Sequence, residues 1–212
     1  EGLKNGLFTY WFENGLKKWE GTYKNGKLDG TWTWWNEDKQ NTWKRIYKEG
    51  ELVNEWNLFY TYYDNGNKKM EGSYIDGLMD GMWTYFYSDG VTKAKGRFFK
   101  GDGSDINPIS DIPQNGRNGE WIIYYPSGNV NAQYQYIDGT FDQERLEWYD
   151  NSNKKIEMHY RNGTPNGPWL EWYKNGQKKL DCIFVDGLKA GPWIAWHQNG
   201  VKKIEGRYVN DL

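Results

Sequence analysis

The stretch "GLFTYWFENGLKKWEGTYKNG", Gly6 to Gly26, carries two Asn-Gly pairs eleven residues apart, with aromatic and charged residues between them. Asn-Gly is a strong short hairpin signal, because both residues of a tight primed turn take positive φ. The segments around it are aromatic and β-prone. A two-residue loop at Asn14-Gly15 predicts that Glu13 pairs with Leu16. Counting outward, Phe8 then faces Gly21 and Tyr10 faces Trp19. A large ring over a strand glycine covers exposed backbone. The second turn, Asn25-Gly26, leads into the next hairpin, so the stretch reads as one unit of an antiparallel meander.

The unit recurs along the chain. Anchored two residues before a usual Trp or Phe, the starts are Gly6, Gly30, Asn57, Gly81, Gly119, Gln143, Gly167 and Gly191. The spacings are 24, 27, 24, 38, 24, 24 and 24. "NLFYTYYDNGNKKMEGSYIDG" in the third unit and "GPWIAWHQNGVKKIEGRYVND" in the eighth match the first closely. Repetition at a fixed period of this size marks a repeat architecture. The expected fold is all-β: an elongated antiparallel β-meander of about eight 24-residue hairpins, forming one repeat domain over residues 1–212. Two units depart from the template and are expected to turn differently. The second, "NEDKQNTWKR", lacks Asn-Gly, and the sixth reads "QERLEWYDNSNKKIEMHY". In the sixth, Arg145 takes the Trp position while Met158 takes the Gly position.

Composition agrees with a thin sheet. Only 37% of the 212 residues are hydrophobic and the mean hydropathy is −1.02, which is poor for a thick core. Yet 18% are aromatic, with 14 Trp and 17 Tyr, which argues against disorder. Large rings therefore supply most of the buried area. Lys and Arg number 27 against 29 Asp and Glu, so no basic excess points to nucleic acid or an anionic membrane. No apolar run is long enough to span a bilayer. Cys182 is the single cysteine, which excludes an internal disulfide and a thiolate metal cluster. The chain starts at Glu1 without Met, "EGLKNG" resembles the tail of a preceding unit, and the sequence stops at a turn. It is expected to be a processed chain or a window from a longer array.

The register places Phe8, Tyr10, Trp19, Gly21 and Tyr23 on one face. The other face is expected to carry Trp11 with Lys18, Glu20 and Thr22. The Trp11 position recurs as Trp35, Tyr62, Phe86, Tyr124, Trp148, Trp172 and Trp196. Aromatic stripes on both faces fit a single twisted sheet better than a sandwich with one dry interior. Sixteen strands at about 4.8 Å would make a sheet roughly 75 Å long. The radius of gyration in scattering should therefore clearly exceed the ~17 Å of a compact domain of this length.

"EGTYKNGKLDGTWTWW", "EGSYIDGLMDGMWTYFYSDG" and "FVDGLKAGPWIAWHQNGVKKIEG" resemble the MORN repeat, and more closely the bacterial variant of YwqK-type antitoxins. The resemblance covers about the whole chain apart from the stretch near 102–118. It implies an elongated antiparallel sheet that acts as a scaffold, dimerisation module or docking surface. Enzymatic activity, where present in such proteins, belongs to other domains. The antitoxin variant further implies a bacterial source and, for some members, neutralisation of a partner toxin. It also occurs in secreted and envelope proteins.

No chemistry-bearing motif interrupts this reading, and no catalytic residue, metal site or cofactor is expected. His159 and His197 occupy different template positions, and there is no HExxH, Cys pair or phosphate-binding Gly loop. Cys182 occupies the repeat's glycine position and reads as a small buried residue. Glu20, Glu71, Glu157 and Glu205 recur because the repeat recurs. The segment breaking the period is "GDGSDINPISDIPQNGRNG", Gly101 to Gly119, with Asp102, Asp105, Asp111, Pro108 and Pro113. A surface insertion is its plain reading. Partner contact is the alternative, since long loops on rigid scaffolds often carry function. "DGSD" lacks the remaining spacing and closing Glu of an EF-hand loop.

The candidate partner-binding residues are the stripe Trp11, Trp35, Tyr62, Phe86, Tyr124, Trp148, Trp172 and Trp196, with Asp102, Asp105 and Asp111 of the insertion. Exposed aromatics on a rigid surface make binding hot spots, although repeated rings are also ordinary packing. Three functions compete. The first is a non-enzymatic scaffold that binds a protein partner, a toxin if the antitoxin resemblance transfers, in the bacterial cytoplasm. The second is a structural segment of an envelope or appendage protein that self-associates through its terminal edge strands. The third is carbohydrate binding by aromatic stacking.

Overall fold

The computed structural model describes residues 2–37 and 41–209. Among the described residues the chain forms sixteen strands in one sheet, each strand hydrogen-bonded to its sequence neighbours in unbroken order. The first eight are β1 (Gly6–Trp11), β2 (Lys17–Lys24), β3 (Lys27–Trp35), β4 (Asn41–Lys48), β5 (Glu51–Tyr62), β6 (Lys68–Ile75), β7 (Leu78–Phe86) and β8 (Thr92–Gly101). The second eight are β9 (Arg117–Tyr124), β10 (Val130–Ile137), β11 (Thr140–Trp148), β12 (Lys154–Arg161), β13 (Thr164–Trp172), β14 (Lys178–Val185), β15 (Leu188–Trp196) and β16 (Lys202–Tyr208). Every pairing is antiparallel, and β1 and β16 do not close on each other, so the meander is open.

Two turn chemistries alternate, where one was expected. At Asn25-Gly26 both residues have positive φ, +50° and +80°, and Lys24 pairs with Lys27. That is the two-residue primed turn, repeated at Asp76-Gly77, Asp138-Gly139, Asn162-Gly163 and Asp186-Gly187. Asn14-Gly15 is different. The Phe12 carbonyl accepts from Gly15 N at 3.0 Å, and Phe12 N donates to the Leu16 carbonyl at 2.7 Å. The loop therefore has three residues, Glu13 to Gly15, and Gly15 alone is left-handed at φ +82°. Asn14 Oδ1 accepts from Leu16 N at 3.0 Å, which is the reason for an Asn there. The expected Glu13–Leu16 pairing is thus wrong. The outer register survives because the ladder shifts between Tyr10 and Trp11, leaving Lys18 as a bulge. Phe8 still faces Gly21 and Tyr10 still faces Trp19.

The bulge corrects the face of one lysine. Lys18 lies over the Tyr10 and Phe12 rings at 5.8 and 5.3 Å, on the ring face. Lys17 instead joins Glu20 on the opposite face. The sixth hairpin keeps the three-residue turn after all. Ser152 N donates to the Tyr149 carbonyl at 2.8 Å, and Ser152 takes the left-handed position at φ +64°. The turn of the second unit lies outside the described residues.

Trp83 pairs with Gly96 and Trp193 with Gly206, as the register requires. The ring that covers Gly21, Gly72 or Gly96, however, comes from the following unit. A Cβ on Gly72 would lie 2.0 Å from Trp83, and one on Gly96 would lie 2.2 Å from Trp121. Gly21 is covered in the same way by Trp32. These indoles lie flat on backbone, so only hydrogen fits beneath them. Their N–H groups donate to the carbonyls of Thr22, Ser73 and Arg97 at 3.0, 3.2 and 2.9 Å. The Arg145 exchange follows the same rule. Arg145 pairs with Tyr134, which stands at the preceding unit's glycine position, and lies 5.6 Å over its ring.

The buried core comprises Met79, Trp83, Tyr85, Ala94, Phe98, Ile112, Trp121 and Tyr136. Ile112 belongs to the insertion, which is therefore a local second layer on the ring face rather than a surface appendage. Ile112 is 1% exposed and Arg117, where the insertion rejoins the sheet, is 2% exposed. Phe99 N donates to the Gly116 carbonyl at 2.8 Å, and Gln114 N to the Asp105 carbonyl at 3.0 Å. Arg117 draws the segment down through Nε to the Pro113 carbonyl at 2.8 Å.

Candidate interaction surface

The stripe residues Trp11, Trp35, Tyr62, Phe86, Tyr124, Trp148, Trp172 and Trp196 end successive odd-numbered strands on the face away from the core. Trp11 and Tyr62 are exposed, and the other six are half-buried. Their backbone is pinned by a tyrosine ladder between units. The hydroxyls of Tyr63, Tyr87, Tyr125, Tyr149 and Tyr173 donate to the carbonyls of Phe86, Tyr124, Trp148, Trp172 and Trp196 at 2.7–2.9 Å. On the opposite margin, Gly26, Gly163 and Gly187 donate their N–H to carbonyls of the preceding unit at 2.8–2.9 Å. Unit is thus held to unit at both ends of the strands, which fixes the spacing of the stripe.

Charges interleave with the rings. Lys17 lies 5.9 Å from the Trp35 centroid, Lys154 5.5 Å from Trp172 and Lys178 5.8 Å from Trp196. Each of these lysines also pairs with an acid of its own strand, Glu20, Glu157 and Asp181. The hydrogen bond from Lys17, then that from Thr9, holds the Glu20 carboxyl below its ordinary range. Exposed pairs of this kind contribute at most ~1 kcal/mol each. Their regular placement makes the face a lattice of ring, ammonium and carboxylate. A groove of about 450 Å³ opens on it between Trp35 and Tyr62, lined also by Lys17, Tyr60 and Lys68.

The insertion acids stand apart from this stripe, because the insertion packs on the ring face. Asp102 is exposed and its Oδ1 accepts from Ser104 N at 2.9 Å. Hydrogen bonds from the Ser104 hydroxyl and backbone lower its pKa. Asp105 and Asp111 hold left-handed turns at φ +54° and +57°. Among the described residues no group of three or more His, Cys, Asp or Glu converges as a metal site would require. Cys182 is 1% exposed, and burial pushes its thiol up to about 12, which makes it inert.

Sequence reasoning missed a cluster on the ring face. Arg117 stands at a template position that varies between units, held by Lys4 and Lys189 as well as by Leu28, Met79 and Phe141. Nearby, Glu147 is 6% exposed and binds Arg145 through Oε1 and Lys155 through Oε2. The available signal was a set of template departures concentrated in the fifth and sixth units.

The MORN repeat variant family matches the chain at residues 57–76 and 117–138. No curated protein matches it in sequence. Among solved structures, the chain is similar to part of one titled "Crystal Structure of TcdB2-TccC3-Cdc42". The identity is 10% and the TM-score 0.33, over 89% of this chain and 12% of that chain. A likeness that distant carries no functional argument. Among the described residues no helix is long and apolar enough to cross a membrane.

Proposed function

We propose that this protein of MORN-variant repeats is a non-enzymatic scaffold holding a protein partner on its stripe face. One observation carries the reading. Ring, ammonium and carboxylate recur at unit spacing on backbone pinned by the tyrosine ladder. Rigid, half-exposed aromatics flanked by satisfied charges lose little entropy on binding and are typical anchors. The run Trp148, Trp172 and Trp196 is the centre of the proposed contact, because three consecutive units keep Trp there. The partner class is a protein toxin, on the resemblance to antitoxin repeats. The test uses the tagged chain and a Trp148→Ala, Trp172→Ala, Trp196→Ala variant as baits in extracts of the source cells. An equimolar toxin-like protein retained by the parent and lost by the variant supports the reading. Equal capture by both baits removes the stripe from the interface.

A second reading, assembly through the terminal edges, has its own observation. Gly206 is the one core-face strand glycine of the Gly21 type with nothing within 4 Å of its Cβ position. The socket fits a ring at the Phe8 template position of a further hairpin, in the same chain or in a second copy. Light scattering tests the second copy. Mass that grows with concentration and is abolished by Phe8→Asp supports it, and a constant monomer mass rejects it.

A further inference from the structure

On the face opposite the stripe, a cavity of about 430 Å³ lies between the insertion and strands β9–β12. Its volume is that of a small-molecule site. Three cations line it, Arg117, Arg145 and Lys155, against one carboxylate, Glu147. That carboxylate is already saturated. Oε1 accepts from Arg145 Nε at 3.0 Å and from the Tyr134 hydroxyl at 3.3 Å, and Oε2 accepts from Lys155 at 3.1 Å. Arg117 has no carboxylate partner among the described residues. Its guanidinium meets the Pro113 and Ile112 carbonyls at 2.8 and 3.4 Å and the Tyr136 hydroxyl at 3.0 Å. It also lies 4.5 Å over the Trp121 ring. These contacts offset part of the cost of burying a cation, but they supply no counter-charge and leave part of its donor fork unused. Asp105 of the insertion is exposed and accepts from Gln114 Nε2 at 3.4 Å.

The remaining wall is aromatic. Tyr136 and Phe141 stack at 4.7 Å, and Tyr134 meets Phe141 edge-on at 5.4 Å. Holding the insertion down accounts for Arg117 but not for Arg145. A lysine–glutamate pair at the same template positions recurs as Lys179–Glu171 at 2.7 Å without any added arginine. Two departures from the repeat, Tyr134 for glycine and Arg145 for Trp, meet Arg117 in this one cavity.

We propose that the cavity binds a small ring-bearing carboxylate, with its charge toward Arg117 and Arg145 and its ring against Tyr136 and Phe141. The site is independent of the stripe face. The test is calorimetric titration of the whole chain with benzoate and galacturonate, and with their neutral counterparts benzamide and galactose. Inorganic phosphate is the remaining probe. A carboxylate should bind in the millimolar range or tighter while its neutral counterpart does not. Arg145→Gln should weaken binding about tenfold, as loss of one charge-assisted contact does. Glu147→Gln should tighten it several-fold by removing the resident competitor, an effect that a purely structural role would not produce. Circular dichroism melts confirm that each variant is folded. Absence of binding by both carboxylates, equal binding of the neutral probes, stronger binding of phosphate, or affinity unmoved in folded variants would each overturn the proposal.

Discussion

Trp121 and Trp193 occupy the same position in their repeats, yet Trp121 is 0% exposed and Trp193 is only half-buried. Trp121 lies flat on Gly96 of the preceding unit and beneath the insertion, beside Phe98 at 4.9 Å. Trp193 pairs with Cys182 on one side and Gly206 on the other, with β16 almost wholly exposed beyond it. The two rings hold the same place in the repeat and differ in the residue beneath them and in what covers them. Stability in this sheet is therefore a neighbour property, as expected where each repeat contacts chiefly the next.

Truncation should break the comparison most sharply. Trp121→Ala is expected to cost about 4 kcal/mol in chemical denaturation, the range for a large ring removed from a closed core. Trp193→Ala should cost less than half of that, and equal losses would show that burial in the two regions is equivalent. Next come the glycines beneath the rings. Gly96→Ala places a Cβ 2.2 Å from the indole and should cost about 3 kcal/mol, the upper range for overpacking. Gly206→Ala meets open space and should stay within about 0.5 kcal/mol.

A smaller effect separates the charged centre from the rest. Burial pushes the Glu147 carboxyl up, but hydrogen bonds and charge from Arg145 and Lys155 more than reverse it, so it titrates below its ordinary 4.5. A depressed carboxyl stabilises the fold fully above its unfolded value, and the contribution is lost as pH falls through the lower folded value. The loss of stability below pH 4.5 should therefore be shallower in Glu147→Gln than in the parent. An unchanged acid profile would mean the cluster does not hold the sheet. A local effect is expected at the turn of the sixth hairpin. Ser152→Gly should stabilise by about 1 kcal/mol, because a non-glycine residue pays for the left-handed conformation. Gly176→Ser in the seventh hairpin should reverse the sign, since Gly176 has φ +86°.

Much of the fold was legible in the sequence, and the errors have physical sources. Reading Asn14-Gly15 as a two-residue loop was wrong, but the bulge at Lys18 restored the outer register, so Phe8 still met Gly21. The same bulge put Lys18 on the ring face, which no count along one strand could reveal. The stripe was legible because it follows the period. Arg117, Arg145, Tyr134 and Glu147 were hard to read as a cluster because they come from β9, β10 and β11 and meet only when the units stack.

The sequence by itself determined the hairpin period, the antiparallel order and the main register, because turn chemistry and nearest-neighbour pairing are local. Tertiary structure alone decided which ring covers which glycine, that Ile112 of the insertion closes the core, and that the surplus cations share one cavity. Those outcomes depend on how one unit packs against the next and on where a long loop comes to rest, and neither is written within a single repeat.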